Sequence, residues 1–325
     1  MSSTDHSPAQ PGPHSPAQPG PHSPAQPGPA EGRALWPPRR WFRRRPQVTV
    51  LRLYGVIGPP AGGLRASRLN LEALAGPIEE AFKPKGLAAV ALAINSPGGA
   101  PMQSAAIAGR IRQLADEKSV PVYAFAEDVA ASGGYWLACA ADEIYADRAS
   151  ILGSIGVIAA GFGAQGLLEK LGLERRVHTA GTQKSFLDPF LPERAEDVAR
   201  LKDLQARLHE AFTDWVRARR GKKLAADREA ELFSGAFWLG GEAQALGLVD
   251  GIGDLRSVMR ARFGKHVRLR PIRTRSSWLQ RRMGLRMARD GGPVSAAAAA
   301  PGLAALPEQI LAAVEDRLLW NRFGL

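Results

Sequence analysis

The chain has 325 residues, which is enough to bury a sizeable core in one or two domains. A hydrophobic fraction of 45% and a charged fraction of 23% are typical of globular proteins and exclude a fibrous or wholly disordered chain. The formal net charge of +12 raises the question of a nucleic-acid partner, so the positions of the basic residues matter.

The excess positive charge lies in two short segments. Residues 33–45 contain six arginines and no acidic residue, and residues 256–286 contain eleven basic residues and no acidic one. Without these seventeen, the chain has 26 basic residues against 31 acidic ones. The main part of the protein is therefore slightly acidic, and we expect no nucleic-acid partner. The run RRWFRRR from Arg39 to Arg45 is either a solvated linker or a peripheral contact with an anionic membrane surface.

The N-terminal segment has a composition that cannot form a packed core. Residues 6–29 repeat HSPAQPGP three times, so we predict that residues 1–46 are a disordered Pro-rich repeat followed by a basic linker. The sequence has neither an apolar run long enough to span a membrane nor a secretory signal. We therefore expect a cytoplasmic protein, with or without peripheral contact at the inner membrane surface. The single cysteine, Cys139, lies in an Ala-rich stretch that predicts a small buried residue.

Residues 47–272 alternate between strand-like and helix-like segments. Strands are predicted at 48–57, 87–94 and 120–126, and two short ones in EIYA and ILGSIGVIA. Helices are predicted at about 69–82, 102–115, 133–141, near Leu167, and at 193–219. This alternation predicts an α/β fold whose helices cover a mostly parallel sheet.

Two apolar stripes suggest packing surfaces rather than functional sites. One is on the helix at 193–219 and indicates core packing or an oligomer contact; it comprises Leu201, Leu204, Leu208, Phe212 and Trp215. Residues 273–325 are predicted as a basic and Ala-rich linker followed by a C-terminal helix. The stripe on that helix would dock on this chain or another one; it comprises Ile310, Leu311, Val314, Leu318 and Leu319.

Ser132 is the strongest candidate nucleophile on local grounds. It follows a predicted strand and precedes Gly133 and Gly134 at the start of a predicted helix. A hydroxyl there is presented at the carboxyl end of a strand, where the helix dipole favours developing negative charge. The alternative to a catalytic role is that Ser132 only caps the helix. A second turn, NSPGG at residues 95–99, also joins a strand to a helix, and the two turns together can supply amide N–H groups to an oxyanion.

A serine nucleophile needs a base, and the residues alone leave three candidates. His178 lies near a plausible turn, His209 is on the long predicted helix, and Lys184 lies in the segment GTQKSFLDPF. A lysine can act as a general base when desolvation brings its pKa toward neutrality, and Ser/Lys pairs are a known variant of the catalytic triad.

Six motifs in order give the chain a family resemblance. They are VLRLYGVIG, INSPGG, DVAASGGYW, GSIGVI, a Gly-x-x-Lys-Ser segment that ends in Pro-Phe, and GEAQALGLVDGIG. Over about residues 48–272 the chain resembles the signal peptide peptidase A family and its SohB-like relatives, which are serine peptidases with a Ser/Lys dyad. The resemblance implies a crotonase/Clp-protease-like spiral of β-β-α units and no cofactor.

The resemblance also assigns roles to individual residues. It implies that Ser132 is the nucleophile, Lys184 the general base and Ser154 the residue that orients the lysine. The oxyanion donors fall on the amides of Gly99 and Gly133. It further implies a homo-oligomeric ring whose active sites are partly built across subunits. Ala236–Leu239 departs from the family's Arg-x-Trp-Thr, which puts a subunit contact or local turn in doubt.

The expected activity is endopeptidase cleavage of hydrophobic peptides, such as remnants of signal peptides. Two alternatives stay open on the sequence. One is an acyl-CoA hydratase or isomerase of the crotonase type, which also uses two backbone amides to hold an oxyanion. The other is a non-enzymatic scaffold at a membrane surface, in which the basic flanks are the working part.

Overall fold

A mostly parallel sheet of eight strands organises the chain in this computed structural model, which describes residues 45–59, 68–181, 183–272, 314 and 316–325. The strands are β1 (Gln47–Tyr54), β2 (Leu87–Ser96), β3 (Val122–Ala131), β4 (Glu143–Ala146), β5 (Ile151–Gly153), β6 (Phe237–Leu239), β7 (Gly251–Ile252) and β8 (Arg268–Pro271). Their order is β6-β5-β3-β2-β1-β8. The first half of β3 pairs with β4 and the second half with β5, and β7 pairs with β4. Only the β5–β6 pair is antiparallel among the described strands, so the predicted α/β class is confirmed.

The α-helices between residues 71 and 263 connect and cover these strands. They are α1 (Leu71–Phe82), α2 (Pro101–Lys118), α3 (Gly133–Ala138), α4 (Gln165–Leu171), α5 (Ala195–Arg220), α6 (Glu229–Leu232), α7 (Gly240–Ala245) and α8 (Leu255–Phe263). The start of α1 shows how the sequence sets a boundary: the Asn70 side chain accepts a hydrogen bond from the Ala73 amide at 2.9 Å. Residues of α1 at three- and four-residue spacing are buried against the sheet; they are Leu74, Ile78, Ala81 and Phe82.

Strand β2 is apolar along almost its whole length because both of its faces are covered. Val90, Leu92 and Ile94 lie in the larger core cluster, which includes buried residues of α1 and α2. Ala89, Ala91 and Ala93 lie in a second cluster on the other face, which includes Met259 of α8. Large side chains on one face and alanines on the other let helices pack at both sides of the sheet.

The structure changes several predicted boundaries. Strand β3 continues to Ala131, five residues beyond its predicted end, and delivers the chain directly to Ser132. The strand predicted in ILGSIGVIA ends at Gly153, because Gly153 and Ser154 both have positive φ angles, 102° and 51°. The N-terminal repeat, most of the run from Arg39 to Arg45, and the linker at residues 273–313 lie outside the described residues.

The apolar stripe on α5 divides into a core part and an exposed part. Phe212 is buried and stacks on Trp136 at 4.7 Å between ring centroids, and Trp215 donates a hydrogen bond to the Trp136 carbonyl. Leu204 and Leu208, nearer the start of the helix, are 45% and 44% exposed. Core packing is therefore confirmed for the second half of the helix, whereas an oligomer contact by the exposed first half stays a prediction.

A buried ion pair fixes the end of α5 to the sheet. Arg220 is 3% exposed; it contacts the Asp250 carboxylate at 2.6 Å and donates two hydrogen bonds to the Gly247 carbonyl. Asp250 also accepts hydrogen bonds from the Ile144 amide and from Lys223. Burial by itself would raise the pKa of Asp250, but the hydrogen bonds from Arg220 and Lys223 outweigh it and hold that pKa below its usual value.

Replacing Asp250 by Asn should destabilise the fold, because the Arg220 guanidinium then stays buried without its counter-charge. We expect a loss of about 3 kcal/mol at neutral pH in chemical denaturation. The contribution is present above the unfolded-state pKa of an aspartate and is lost as the pH falls through the lower folded-state value. The free energy of unfolding of the Asp250→Asn variant should therefore depend less on pH in the acidic range than that of the wild type. The control is Asp203→Asn, which breaks an exposed ion pair with Arg207 and should cost about 0.5 kcal/mol or less. Equal losses in the two variants would contradict this prediction.

Candidate functional site

The turn after β2 is a glycine turn held against the end of β1. The Ile57 amide donates to the Gly98 carbonyl, and the Ala100 amide donates to the Ile57 carbonyl, both at 2.8 Å. Gly98 and Gly99 have φ angles of 103° and 141°, which side chains rarely adopt. A Cβ on Gly99 would lie 1.9 Å from the Ile57 carbonyl oxygen. Glycine is therefore the only residue that this close approach of two backbones allows.

The turn after β3 places Ser132 in a strained conformation at the end of the strand. Ser132 has φ 51° and ψ −121°, and its amide donates to the Gly153 carbonyl at 2.8 Å. Helix α3 begins at the next residue. A non-glycine residue in such a region is held there only by its surroundings, and strain of this kind is concentrated at functional sites. A sharp turn from strand to helix also exposes a serine hydroxyl, as at the nucleophile turn of the α/β-hydrolases.

The two turns meet because β2 and β3 are neighbouring parallel strands. A Cβ on Gly98 would lie 2.8 Å from both the Gly133 amide nitrogen and the Ser132 Cβ, and one on Gly133 would lie 3.3 Å from the Gly99 amide nitrogen. Among the hydrogen bonds between described residues, none is donated by the amides of Gly99 or Gly133. Two available N–H groups beside a serine hydroxyl are the elements of an oxyanion site.

These residues open into a cavity of about 820 Å³. Gly99, Ser132, Gly133 and Ser154 all line it. The apolar part of the lining comes from several elements and includes Ala100, Trp136, Val157, Ile158, Ala206, Leu208, Phe212, Phe233, Leu319 and Phe323. Lys202, His209 and Arg322 also line the cavity, and no Asp or Glu does so among the described residues. The described lining is therefore mainly apolar, with basic but no acidic side chains.

Ser154 is fixed at the edge of the cavity by the short antiparallel pair. It is 3% exposed, and its amide donates to the Ala236 carbonyl at 2.6 Å. The preceding Gly153 lies against Trp238, whose ring would be 2.7 Å from a Cβ there. Gly153 also accepts the hydrogen bond from Ser132, so the turns that carry the two serines are joined directly.

Lys184 lies apart from the other predicted site residues within this protomer. It is in a turn of residues 183–187, its side chain is exposed, and it is not among the residues that line the cavity. Ion pairs Arg175–Asp188 and Arg194–Asp197 hold the surrounding loop on its own chain. The structure therefore brings together four of the five predicted residues, and all five catalytic roles stay predictions.

The other candidate bases also have defined places. His178 is exposed and does not line the cavity. His209 does line it, and its Nε2 lies 3.2 Å from the Ile155 carbonyl oxygen, so α5 contacts the turn that carries Ser154. The burial of Cys139 raises the pKa of its thiol to about 12, which removes it as a nucleophile and confirms the prediction of a small buried residue.

Sequence reasoning missed two parts of the cavity lining. On α5 it named His209 as a candidate base and Phe212 as part of a packing stripe, but it missed Gln205, although the four-residue spacing from His209 places both on one face of the helix. The C-terminal residues Leu319, Arg322 and Phe323 were not expected at the site, and no local pattern indicates which surface they contact.

Comparisons with known proteins identify the family. The profile of Peptidase family S49 matches residues 114–268. The chain is 32% identical over 223 residues to "Putative protease slr0021" of Synechocystis sp., covering 67% of this chain and 73% of that protein. It is 48% identical over 289 residues to "Na(+)/H(+) antiporter NhaA" of Brucella abortus, covering 89% of this chain but only 38% of that protein's length.

A solved structure adds a distant likeness. The "1510-N membrane-bound stomatin-specific protease K138A mutant in complex with a substrate peptide" has a TM-score of 0.46 and 12% identity, covering 75% of this chain and 99% of that one.

The chain belongs to peptidase family S49, a family of serine peptidases. This confirms the resemblance to signal peptide peptidase A and SohB-like proteins, and the mostly parallel α/β sheet agrees with the fold class that the resemblance implies. Membership favours a peptidase over the acyl-CoA hydratase or isomerase and over the non-enzymatic scaffold.

Proposed function

We propose that this chain is a serine endopeptidase with Ser132 as nucleophile and Lys184 as general base. The observation that carries the proposal is the strained Ser132 beside the available amides of Gly99 and Gly133. Such a set of groups suits attack by a hydroxyl on a carbonyl carbon, because the negative charge that forms on oxygen meets two oriented donors.

The proposed reaction has two steps. Neutral Lys184 accepts the Ser132 proton while Oγ attacks the peptide carbonyl, and the amides of Gly99 and Gly133 donate to the oxyanion. The C–N bond breaks, the leaving amine takes the proton from the lysine, and an acyl-enzyme remains. Water then attacks the ester carbonyl while Lys184 accepts one of its protons. The bond between the acyl carbon and Oγ breaks, Lys184 returns that proton to Oγ, and the carboxylic acid leaves with Ser132 and neutral Lys184 restored. Ser154 would orient the lysine through a hydrogen bond that adds no charge.

We propose further that Lys184 reaches Ser132 from a neighbouring subunit of a homo-oligomeric ring. Its exposed position outside the cavity supports this. So does the uncovered apolar surface of residues 156–194 and the start of α5, which includes Ile158, Phe162, Leu167, Leu171, Leu173, Leu191, Leu204 and Leu208. Apolar surface of this extent is typical of interfaces, and head-to-tail contacts that close make rings.

The substrate is proposed to be an extended, apolar peptide, such as a remnant of a cleaved signal peptide. The apolar lining supports this choice, and so does the lack of carboxylates among its described residues, since nothing there would pair with a basic side chain. An apolar peptide loses water-exposed surface when it enters such a cleft, which supplies binding free energy.

The proposed location is the cytoplasmic side of a membrane. None of the described helices is long and apolar enough to cross a bilayer. The sequence from Arg39 to Arg45 combines five arginines with Trp41 and Phe42, a composition that suits an anionic lipid surface. The name of the Brucella relative, an antiporter, also supports a position near a membrane.

Replacing either member of the proposed dyad should remove peptidase activity. We expect Ser132→Ala and Lys184→Ala each to lower kcat for an apolar peptide by at least about 1,000-fold. The matched controls are Ser257→Ala and Lys85→Ala, an exposed serine and an exposed lysine that do not line the cavity. Full activity in either dyad variant would contradict the assignment.

Mixing the two inactive variants tests whether the site is shared between subunits. Suppose that Ser132 of one subunit meets Lys184 of the next. In rings assembled from equal amounts of the Ser132→Ala and Lys184→Ala chains, about a quarter of the sites then contain both an intact Ser132 and an intact Lys184. We therefore expect activity to return after the subunits are dissociated and reassembled together, as measured by peptide hydrolysis. Each variant treated alone is the control. A mixture that stays inactive while forming mixed rings would place both residues in one subunit.

Deleting residues 33–45 should abolish binding to anionic vesicles and leave peptide hydrolysis unchanged. The segment carries six arginines, and each basic residue near an anionic surface contributes about 1 kcal/mol. Co-sedimentation with phosphatidylserine vesicles at low salt measures the binding, and phosphatidylcholine vesicles are the control. Undiminished binding after the deletion would rule out this segment as the membrane contact.

A further inference from the structure

The C-terminal segment, residues 316–325, packs beside the proposed nucleophile. Phe323 is 8% exposed and forms an apolar cluster with Val129 and Ala131 of β3. Its ring meets that of Phe237 edge to face, with centroids 5.3 Å apart. Because Ala131 is the residue that precedes Ser132, the aromatic ring lies next to the nucleophile along the sheet.

A second contact fixes the direction of this segment. The Arg68 guanidinium donates two hydrogen bonds to one oxygen of Asp316, at 2.7 and 3.1 Å. Arg68 and Asp316 are both partly buried, with side-chain exposures of 18% and 32%. Residues 316–321 are helical, and they are held at Asp316 by this ion pair and just after Asn321 by Phe323, so that the helix face between these two contacts has a defined orientation.

That face forms part of the cavity lining. Leu319, Arg322 and Phe323 line the same cavity as Ser132 and Gly133, whereas Leu318 points away and is 53% exposed. An apolar substrate side chain next to the scissile bond would enter the apolar part of this cavity beside Ser132. Phe323 already covers Val129 and Ala131 there, which leaves less room for a large side chain.

We propose that the C-terminal segment is a wall of the substrate cleft and that Phe323 limits the size of the side chain accepted beside the scissile bond. This inference rests on the proposed peptidase function. A wall of this kind selects small residues such as alanine, because a larger residue would have to displace an aromatic ring from its apolar cluster. Phe323 is thus a specificity-determining residue supplied by a segment that is distant from Ser132 in the sequence.

The test compares two peptides that differ at one position, with alanine or leucine on the acyl side of the cleaved bond. We expect the wild type to prefer the alanine peptide. Phe323→Ala should raise the ratio of kcat/KM for leucine over alanine by about tenfold or more, since it vacates the volume of an aromatic ring. The control is Leu318→Ala, an exposed position of the same helix, which should leave the ratio unchanged. An unchanged ratio in Phe323→Ala, or an equal gain for both peptides, would overturn the proposal.

A binding measurement separates this proposal from the proposed function. In the Ser132→Ala background the peptides are bound without hydrolysis, and calorimetry gives the dissociation constants directly. We expect Phe323→Ala to tighten binding of the leucine peptide relative to the alanine peptide even if no variant is active. Phe323→Leu keeps an apolar anchor, so it gives a second test if the alanine variant unfolds. If the affinity for the leucine peptide relative to the alanine peptide is the same with and without Phe323, the proposed role of Phe323 is refuted. If this relative affinity changes but the wild type does not hydrolyse either peptide, only the proposed peptidase function is refuted.

Discussion

The close approach of two backbone turns is the constraint on which the rest of the site depends. Gly98 lies so near Ser132 and Gly133 that a single Cβ there would touch both. Parallel pairing of β2 with β3 brings the turns to the same edge of the sheet, and the glycines allow them to pack without side chains between them. Helix α3 then begins at Gly133. The serine and both amides are therefore fixed by the sheet itself.

The cleft around Ser132 is formed by elements outside the β2–β3 pair. Helix α5 is joined to the core through Arg220 at its end and through Trp215, which hydrogen-bonds to α3. This attachment directs Phe212 and His209 toward the cavity, while the first half of the helix projects beyond the core. One rigid helix thus connects the core, the cavity wall and the exposed apolar surface.

The sequence predicts the core of this structure better than its periphery, for a physical reason. Strand β2 can be predicted because both of its faces are buried and its apolar run is continuous. Ser132 can be predicted as a site residue because a strand, a serine and two glycines follow each other in the sequence. The position of Phe323 depends on tertiary contacts with β3, which no local pattern encodes. The length of β5 was also missed, because Gly153 and Ser154 leave the extended conformation in a run that looks like a strand.

The division of the site between core and periphery has a chemical consequence under the proposed mechanism. A lysine is a base only in its neutral form, and exclusion of water is what makes that form accessible near neutral pH. Lys184 is exposed in the protomer, whereas Ser132 and its amide donors are already in place. Covering the lysine with a neighbouring subunit would then both position the base and desolvate it. A lone protomer would hold a strained but unactivated serine, and assembly would supply the missing proton acceptor. Proteolysis would thereby be confined to the assembled form.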